Sequence, residues 1–406
     1  MNKLQTIFLT IITLTVISCK QKVASTKIEP KTSEVEIPEV DENSFMMKMQ
    51  SKALKKSFKG IYTSNGKEND LFPIVSTGVS TEPIIKAGEK FVSSLSDRQH
   101  KKTVFDMQND EWRKWSNVDN GIFKRQGTSL KEMSKKQKQL AFDLMQTSLS
   151  AKGLQLSKDI MKTDQTLREL NNDNLIFDEE LYFFTIMGKP SNNEPWGWQI
   201  DGHHLVINYF VIGDQIVMTP TFMGGEPIIT TTGKYKGNTL FQDKQNIGLK
   251  FMQSLSLEEQ KQAIISNEKR HNDAKTEAFK DNVILDYQGL KLSELTQTQK
   301  KALLNLTEQY ISNMRQGHSK VKMEEIERHI DTTYFAWIGA TDKDAVFYYR
   351  IHSPVVLIEF DHQGAIGVRS KERGATRNHI HTVVRTPNGN DYGKDLLKQH
   401  LEKHPH

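Results

Sequence analysis

A chain of 406 residues, 36% of them hydrophobic, can bury one large core or two ordinary ones, and its composition excludes a collagen-like, disulfide-scaffold or wholly disordered protein. Its 55 basic and 50 acidic residues give a formal net charge of +5 that is spread along the chain, so no electrostatic footprint for nucleic acid stands out. The single cysteine, Cys19, excludes an intramolecular disulfide, Cys-ligated zinc and a thiol nucleophile in the folded part.

The first 18 residues read as a lipoprotein signal peptide. Lys3 is the one basic residue, an apolar and Thr-rich run follows from Ile7 to Ile17, and Ser18 precedes Cys19. Val16-Ile17-Ser18-Cys19 looks like a bacterial lipobox, which predicts lipidation of Cys19 and a lipid anchor in the bacterial cell envelope; ordinary cleavage or a retained anchor is the alternative. Residues 19–43 are polar and Pro-containing with no periodic apolar face, as expected of a flexible tether.

Beyond the tether, Phe45 to Phe58 can start a helix, and Ile74 to Ile85 reads as loop with room for a short strand. Three blocks then recur in order, roughly 160 residues apart, as tandem copies do. Phe91 to Ser96 matches Phe251 to Ser256, in each case with a Ser opening a helix-forming run. Gln126 to Gln137 matches Gln288 to Gln299, placing Ser134 and Thr296 as caps of amphipathic helices with Leu140, Leu144 and Met145 on one stripe and Leu303, Leu304 and Leu306 on the other. The third match is a set of strands. Leu181 to Met187, Gly197 to Ile200, His204 to Val211 and Gln215 to Thr219 stand against Tyr334 to Ile338, Val346 to Ile351, Val355 to Phe360 and His379 to Arg385. The expectation is an α+β fold: a tandem duplication of a unit of helices followed by an antiparallel strand meander, in residues 44–235 and 236–406, with the copies packed around a pseudo-twofold axis. Lys394 to Leu401 reads as a final short helix.

Chemistry concentrates on histidine. In Asn378-His379-Ile380-His381 a strand puts both imidazoles on one face, where a metal ion or an anion can sit between them; the bland alternative is a polar sheet face. Gly202-His203-His204 lies where one strand turns into the next, and only a turn or bulge brings both rings to one side. Aligning the copies sets His203 opposite Pro354 and Asp201 opposite His352, so each half contributes different groups. Arg350 is a candidate clamp for an anionic substrate, and Glu359, in an otherwise apolar strand, is a carboxylate that needs a partner; an Arg350–Glu359 pair across neighbouring strands accounts for both without function. Trp198 is either a ligand wall or core. Asn208 and Arg385 are further substrate-binding candidates, and Asp391 either takes part in chemistry or serves its turn. Gly224-Gly225-Glu226-Pro227 reads as a loop without a phosphate-binding fingerprint, and no Walker loop, GxSxG elbow or HExxH helix is present.

The blocks PWGWQIDGHHLVINY and PTFMGG, FYYRIHSPVVLIEFD, and NHIHTVVR followed by NDYGKDLLKQH resemble an uncharacterised family of exported bacterial proteins known as a domain of unknown function. The resemblance implies shared histidine pairs, here His203 with His204 and His379 with His381, and a terminal Arg385 and Asp391. This chain departs from the pattern in carrying His352 where an amide is usual and Val384 where an aromatic is usual.

These readings converge on His203, His379 and His381, with His204 as a further ligand, holding one Zn, Cu or Fe ion between the repeats. Glu359 or Asp391 would then serve as acid/base, and Arg350 would orient an anionic or polar substrate, a small molecule or a polymer-derived one. A metal-dependent hydrolase is preferred over an oxidoreductase because metal-activated water needs no electron donor. The alternative is a surface lipoprotein that binds metal or ligand without turnover.

Overall fold

The computed structural model describes residues 37–368 and 374–404; the expected signal peptide, Cys19 and most of the tether lie outside the described residues. After α1 (Phe45–Leu54), the chain forms α2 (Glu82–Ser93), α3 (Asp97–Thr103), β1 (Val104–Phe105), β2 (Thr128–Ser129), α4 (Lys135–Ser148) and α5 (Ala151–Leu170). The strands β3 (Phe183–Met187), β4 (Trp196–Gly202), β5 (Leu205–Ile212), β6 (Gln215–Val217) and β7 (Thr221–Gly225) follow. Next come α6 (Gln242–Ser254), α7 (Leu257–Ala263), β8 (Ile264–Ser266), β9 (Leu290–Lys291), α8 (Gln297–Ile311) and α9 (Gln316–Arg328). The chain ends with β10 (Tyr334–Gly339), β11 (Phe347–His352), β12 (Leu357–Gly364), β13 (Ala375–Arg385) and α10 (Lys394–Lys403). No helix among the described residues is long and apolar enough to cross a membrane.

Local chemistry sets these helix starts. Ser96, Ser134, Ser256 and Thr296 each accept a hydrogen bond from the N3 backbone amide, and Gln99, Gln137, Glu259 and Gln299 reach back to the cap amide, so four capping boxes open α3, α4, α7 and α8. The 74–85 segment differs from the expectation of loop and strand: α2 begins at Glu82 with Pro83 in its first turn, and Ile84 and Ile85 are buried helical residues.

One mixed sheet runs β1-β3-β4-β5-β7-β13-β12-β11-β10-β8. On one flank β1 is parallel and β2 antiparallel to β3; on the other, β8 is parallel and β9 antiparallel to β10. Between the flanks every neighbouring pair is antiparallel, and β7 with β13 makes the central junction. The helices and this largely antiparallel sheet form separate layers, an α+β arrangement. The strand β7 corrects the sequence reading twice. Gly224 and Gly225 are paired strand residues and not loop, and β7 is the strand that joins β5 to β13, whereas the expected 215–219 strand is the short β6, paired with β5 alone.

Strand alternation gives the sheet two different faces. Trp198, Tyr209, Met223, Thr382, Phe360, Tyr349 and Trp337 point to the helices: Trp198 Nε1 donates to Ser148 Oγ on α4 at 3.2 Å, and Tyr349 Oη donates to the Lys244 carbonyl on α6 at 3.1 Å. Asp201, Asn208, His379, His381, Asp361, Glu359, Arg350 and Arg385 point to the other side, beneath the long connections 106–127 and 267–289. Those connections neutralise the buried charges there, as with Arg125 Nε 3.1 Å from Asp201 and Lys269 Nζ 2.9 Å from Asp361.

His352 lies on this polar face at the rim of β11, its ring 4.5 Å from the Tyr287 ring and tilted 45° to it, with no partner for Nδ1. Burial, reinforced by Arg350, pushes it down to about 3, so the folded form stays neutral while the unfolded chain takes up a proton below about 6.5. The unfolded state therefore binds more protons between those values, and His352 lowers stability progressively as pH falls through that window. The variant His352→Gln should recover about 2 kcal/mol at pH 5 relative to pH 7.5, read from urea unfolding at both pH values. An unchanged difference between the two pH values would show that His352 is not held neutral.

Candidate metal centre

Strands β4 and β5 are joined by the two-residue turn His203-His204, closed by the Gly202–Leu205 pair. His204 adopts φ +61°, a conformation that residues with a β-carbon enter at a cost and that tends to mark functional positions. The turn brings the adjacent imidazoles to the same side, stacked at 4.0 Å between ring centroids, which a regular strand would not do. Beneath it, Gly202 lies flush against the Tyr182 ring, where a Cβ would come 2.2 Å from Cδ1.

Across the sheet junction, His379 and His381 project from one face of β13. His379 Nδ1 donates to the Gly364 carbonyl at 2.7 Å, and His381 Nδ1 donates to Glu277 Oε1 at 2.6 Å. In a neutral ring such a bond puts the proton on Nδ1 and the lone pair on Nε2, and here the two Nε2 atoms face each other at 3.0 Å. His204 Nε2 stands 3.2 Å from His379 Nε2, and one nitrogen from each of the three rings lies within 4.8 Å of the others. Two ligands about 2.0–2.1 Å from one tetrahedral zinc ion are about 3.3 Å apart, and a right-angled site brings them to about 2.9 Å, so the observed spacings suit a shared transition-metal ion. Gly224, on β7 between the two sources of histidine, makes the approach possible: a Cβ there would lie 3.0 Å from His204 Cδ2 and 3.1 Å from His381 Cδ2.

The electrostatics agree. Burial, then the neighbouring imidazoles, hold His204 and His379 well below the usual histidine range, which keeps them in the neutral, ligating form. Glu277 is held below its usual range because attraction to His381 and hydrogen bonds outweigh the effect of burial, so a carboxylate orients the ring. Glu226 Oε2 lies 3.6 Å from His379 Nδ1 and accepts the Gly367 amide, while Oε1 accepts the amides of Ile366 and Val368, tying that loop to the site. Three imidazoles can take three positions around zinc, copper or iron and leave a further position for water or substrate.

The remaining predicted residues separate from this cluster. His203, expected among the ligands, is bonded through Nδ1 to Asp164 Oδ1 at 2.5 Å, while Tyr182 Oη donates to Asp164 Oδ2 at 2.7 Å, and it lies outside the group of three rings; His204, expected as a further ligand, belongs to that group. Glu359 accepts the backbone amides of Lys275 and Thr276, the Thr276 hydroxyl and the Tyr348 hydroxyl, so it anchors the covering connection. Arg350 stands opposite Glu359 in register but donates through Nη2 to Gln288 Oε1 at 2.9 Å, so the cross-strand ion pair does not form, and its Nε has no partner. Arg385 donates to the carbonyls of Thr276 and Glu277, to Asp281 and to Asp391, and Asp391 also accepts the Thr386 amide; this pair holds the connection that carries Glu277. Trp198 belongs to the helix-facing core, on the other side of the sheet from the histidines. Asn208 shares the histidine face, but its amide is bonded to Gln199 and the Pro220 carbonyl.

Glu277, Asp164, Glu226 and Gly224 were not among the candidates. Asp164 had a readable signal, since it interrupts the buried stripe of Ile160, Met161 and Leu167 on α5 and so demands a partner. Glu277 sits in an irregular connection with no periodicity to expose it.

If Glu277 orients a ligating ring, Glu277→Ala should weaken binding of added zinc by about 10–100-fold and Glu277→Gln by less, with little change in unfolding of the metal-free protein. Calorimetric titration reads this directly, and equal affinity in all three proteins would remove Glu277 from the site.

No curated protein and no solved structure matches the chain at a significant level. Residues 77–394, which include all of the histidine cluster and both covering connections, match a family described as protein of unknown function (DUF3500), and the chain belongs to that family.

Proposed function

We propose that this chain is a metal-dependent hydrolase, anchored by a lipid on Cys19 in the bacterial cell envelope, with one Zn, Cu or Fe ion held by His204, His379 and His381. The observation that carries the reading is the convergence of three rings: His379 Nε2 lies 3.0 Å from His381 Nε2 and 3.2 Å from His204 Nε2, while the Nδ1 atoms of His379 and His381 are engaged by the Gly364 carbonyl and Glu277. One metal ion among them can accept a lone pair from each ring, whereas a proton shared between two nitrogens serves only one pair.

A bound ion of this kind supplies Lewis acidity and lowers the pKa of a coordinated water toward neutrality. The chain's own contribution is a buried, preoriented ligand set, with His203 stacked on His204 and steered by Asp164 as a base is steered by a carboxylate. We place His203 as the proton-handling group and give Glu359, Asp391 and Arg350 structural roles. A binder without turnover remains the second reading, supported by the burial of the site: His204, His379 and His381 are only 3%, 2% and 6% exposed.

The matched capping boxes, the matched pairings on the two flanks of the sheet and the recurring sequence blocks support tandem duplication, with units 44–235 and 236–406 related by a pseudo-twofold axis near the β7–β13 junction. On this reading the site is composite, His204 coming from the first unit and His379 and His381 from the second.

Zinc-loaded protein should consume at least one member of a panel of carboxylic and phosphoric esters and amides, lose that activity to a chelator and regain it with zinc. His203→Ala should lower kcat by about 10²–10⁴ while leaving metal content unchanged. A compound that raises the melting temperature but is never consumed would convert the assignment to that of a binding protein.

A further inference from the structure

Lysine is seldom buried without a partner, because an ammonium taken out of water needs a counter-charge or a set of acceptors. Lys244, the third residue of α6, is only 3% exposed. Among the described residues no acceptor takes a hydrogen bond from its Nζ and no carboxylate forms an ion pair with it. Asp243 beside it turns outward, its side chain 74% exposed, and stands 4.0 Å from Lys152 Nζ.

The surroundings of the amine are aromatic. Nζ lies 5.3 Å from the centre of the Phe241 ring, on the residue that precedes α6, and 5.2 Å from the centre of the Tyr310 ring on α8. The Tyr310 hydroxyl is bonded to that of Tyr349, and Tyr349 Oη donates to the Lys244 carbonyl. Burial pushes both phenols up, so neither ring supplies a counter-charge. Two further influences act against a charged amine: the first turn of α6 is the positive end of a helix dipole, and Lys152 brings a like charge near. The ring faces attract a cation, but less strongly than the water it has lost. Burial, then Lys152, lower Lys244 to about 7, so near neutral pH roughly half of the amine carries its lone pair, against about one part in 2,500 for an ordinary lysine. Nζ is not among the unpaired atoms sealed from solvent, so a small molecule can reach it. An amine desolvated among aromatic rings and stripped of partners is the arrangement that makes lysine a nucleophile.

We propose that Lys244 is a covalent modification site at which the amine condenses with a small aldehyde to form an imine. The Nζ lone pair forms a bond to the carbonyl carbon, and one amine proton passes to the carbonyl oxygen. The hydroxyl so formed leaves as water with the second amine proton, giving a neutral C=N bond, and no oxidant or reductant takes part. The narrow exposure restricts the partner to short aliphatic aldehydes. The site is independent of the metal reading, since α6 packs on the face of the sheet that carries Tyr349, opposite the histidines.

The test treats the untagged full chain at pH 7 with a limiting amount of propanal and cyanoborohydride, which fixes each imine as a secondary amine, and follows individual lysines by peptide mass spectrometry. Lys244 should be alkylated about tenfold faster or more than Lys343 and Lys398, whose side chains are 90% and 72% exposed. Its larger neutral fraction favours it by about 10³, and restricted access takes back part of that. The rate ratio should fall by more than about tenfold between pH 7 and pH 9, because only the exposed lysines gain neutral amine over that interval. Circular dichroism follows the fold throughout. Alkylation of Lys244 no faster than that of the exposed pair, a ratio that does not change with pH, or reaction at Lys244 only once the chain has unfolded would each overturn the proposal.

Discussion

The antiparallel pairing of β7 with β13 is the constraint on which the rest of the molecule depends. It joins two runs of four antiparallel neighbours into one sheet and fixes His381 opposite Gly224, with Gly224 in turn hydrogen-bonded to the His204 carbonyl at 2.8 Å. A shift of one residue in this register would turn His379 and His381 toward the helices and Thr382 toward the site. The absence of a side chain at Gly224 leaves the space into which the two histidine sources converge.

Placing charged groups on a buried sheet face is expensive, and the structure meets that cost with two irregular connections instead of solvent. Asp281 shows how they are locked together: it receives Arg113 from the first connection at 3.0 Å, Arg385 from β13 at 3.0 Å and the Tyr392 hydroxyl at 2.9 Å. Arg385 also donates to the carbonyls of Thr276 and Glu277, which ties it to the second connection. The carboxylate that orients His381 is therefore positioned by a network extending to the other half of the chain, and groups that looked catalytic in isolation are members of that network.

Much of the architecture was legible because local chemistry and periodicity agree with it. Ser134 and Thr296 cap the helices they were expected to cap, and the His-x-His spacing put two rings on one face as strand geometry requires. The Gly202-His203-His204 stretch pointed to a turn, but which ring would enter the site depended on the left-handed backbone of His204. β7 was hidden because paired glycines carry loop statistics, whereas here they serve close packing. Arg350 and Glu359 are in register as expected, yet each is bonded to a connection without sequence periodicity instead of to the other. Trp198 was ambiguous because both faces of this sheet are buried, so alternation alone does not say which one carries function.

Three imidazole nitrogens within 4.8 Å of one another are proposed to share a cation. Elemental analysis of the chain purified without a histidine tag, alongside the His379→Ala/His381→Ala variant, decides whether they do. Close to one transition-metal ion per chain is expected, retained through gel filtration and absent from the folded double variant. Substoichiometric metal with no recovery on adding Zn, Cu or Fe, or full metal content in the double variant, would show that no cation is held there.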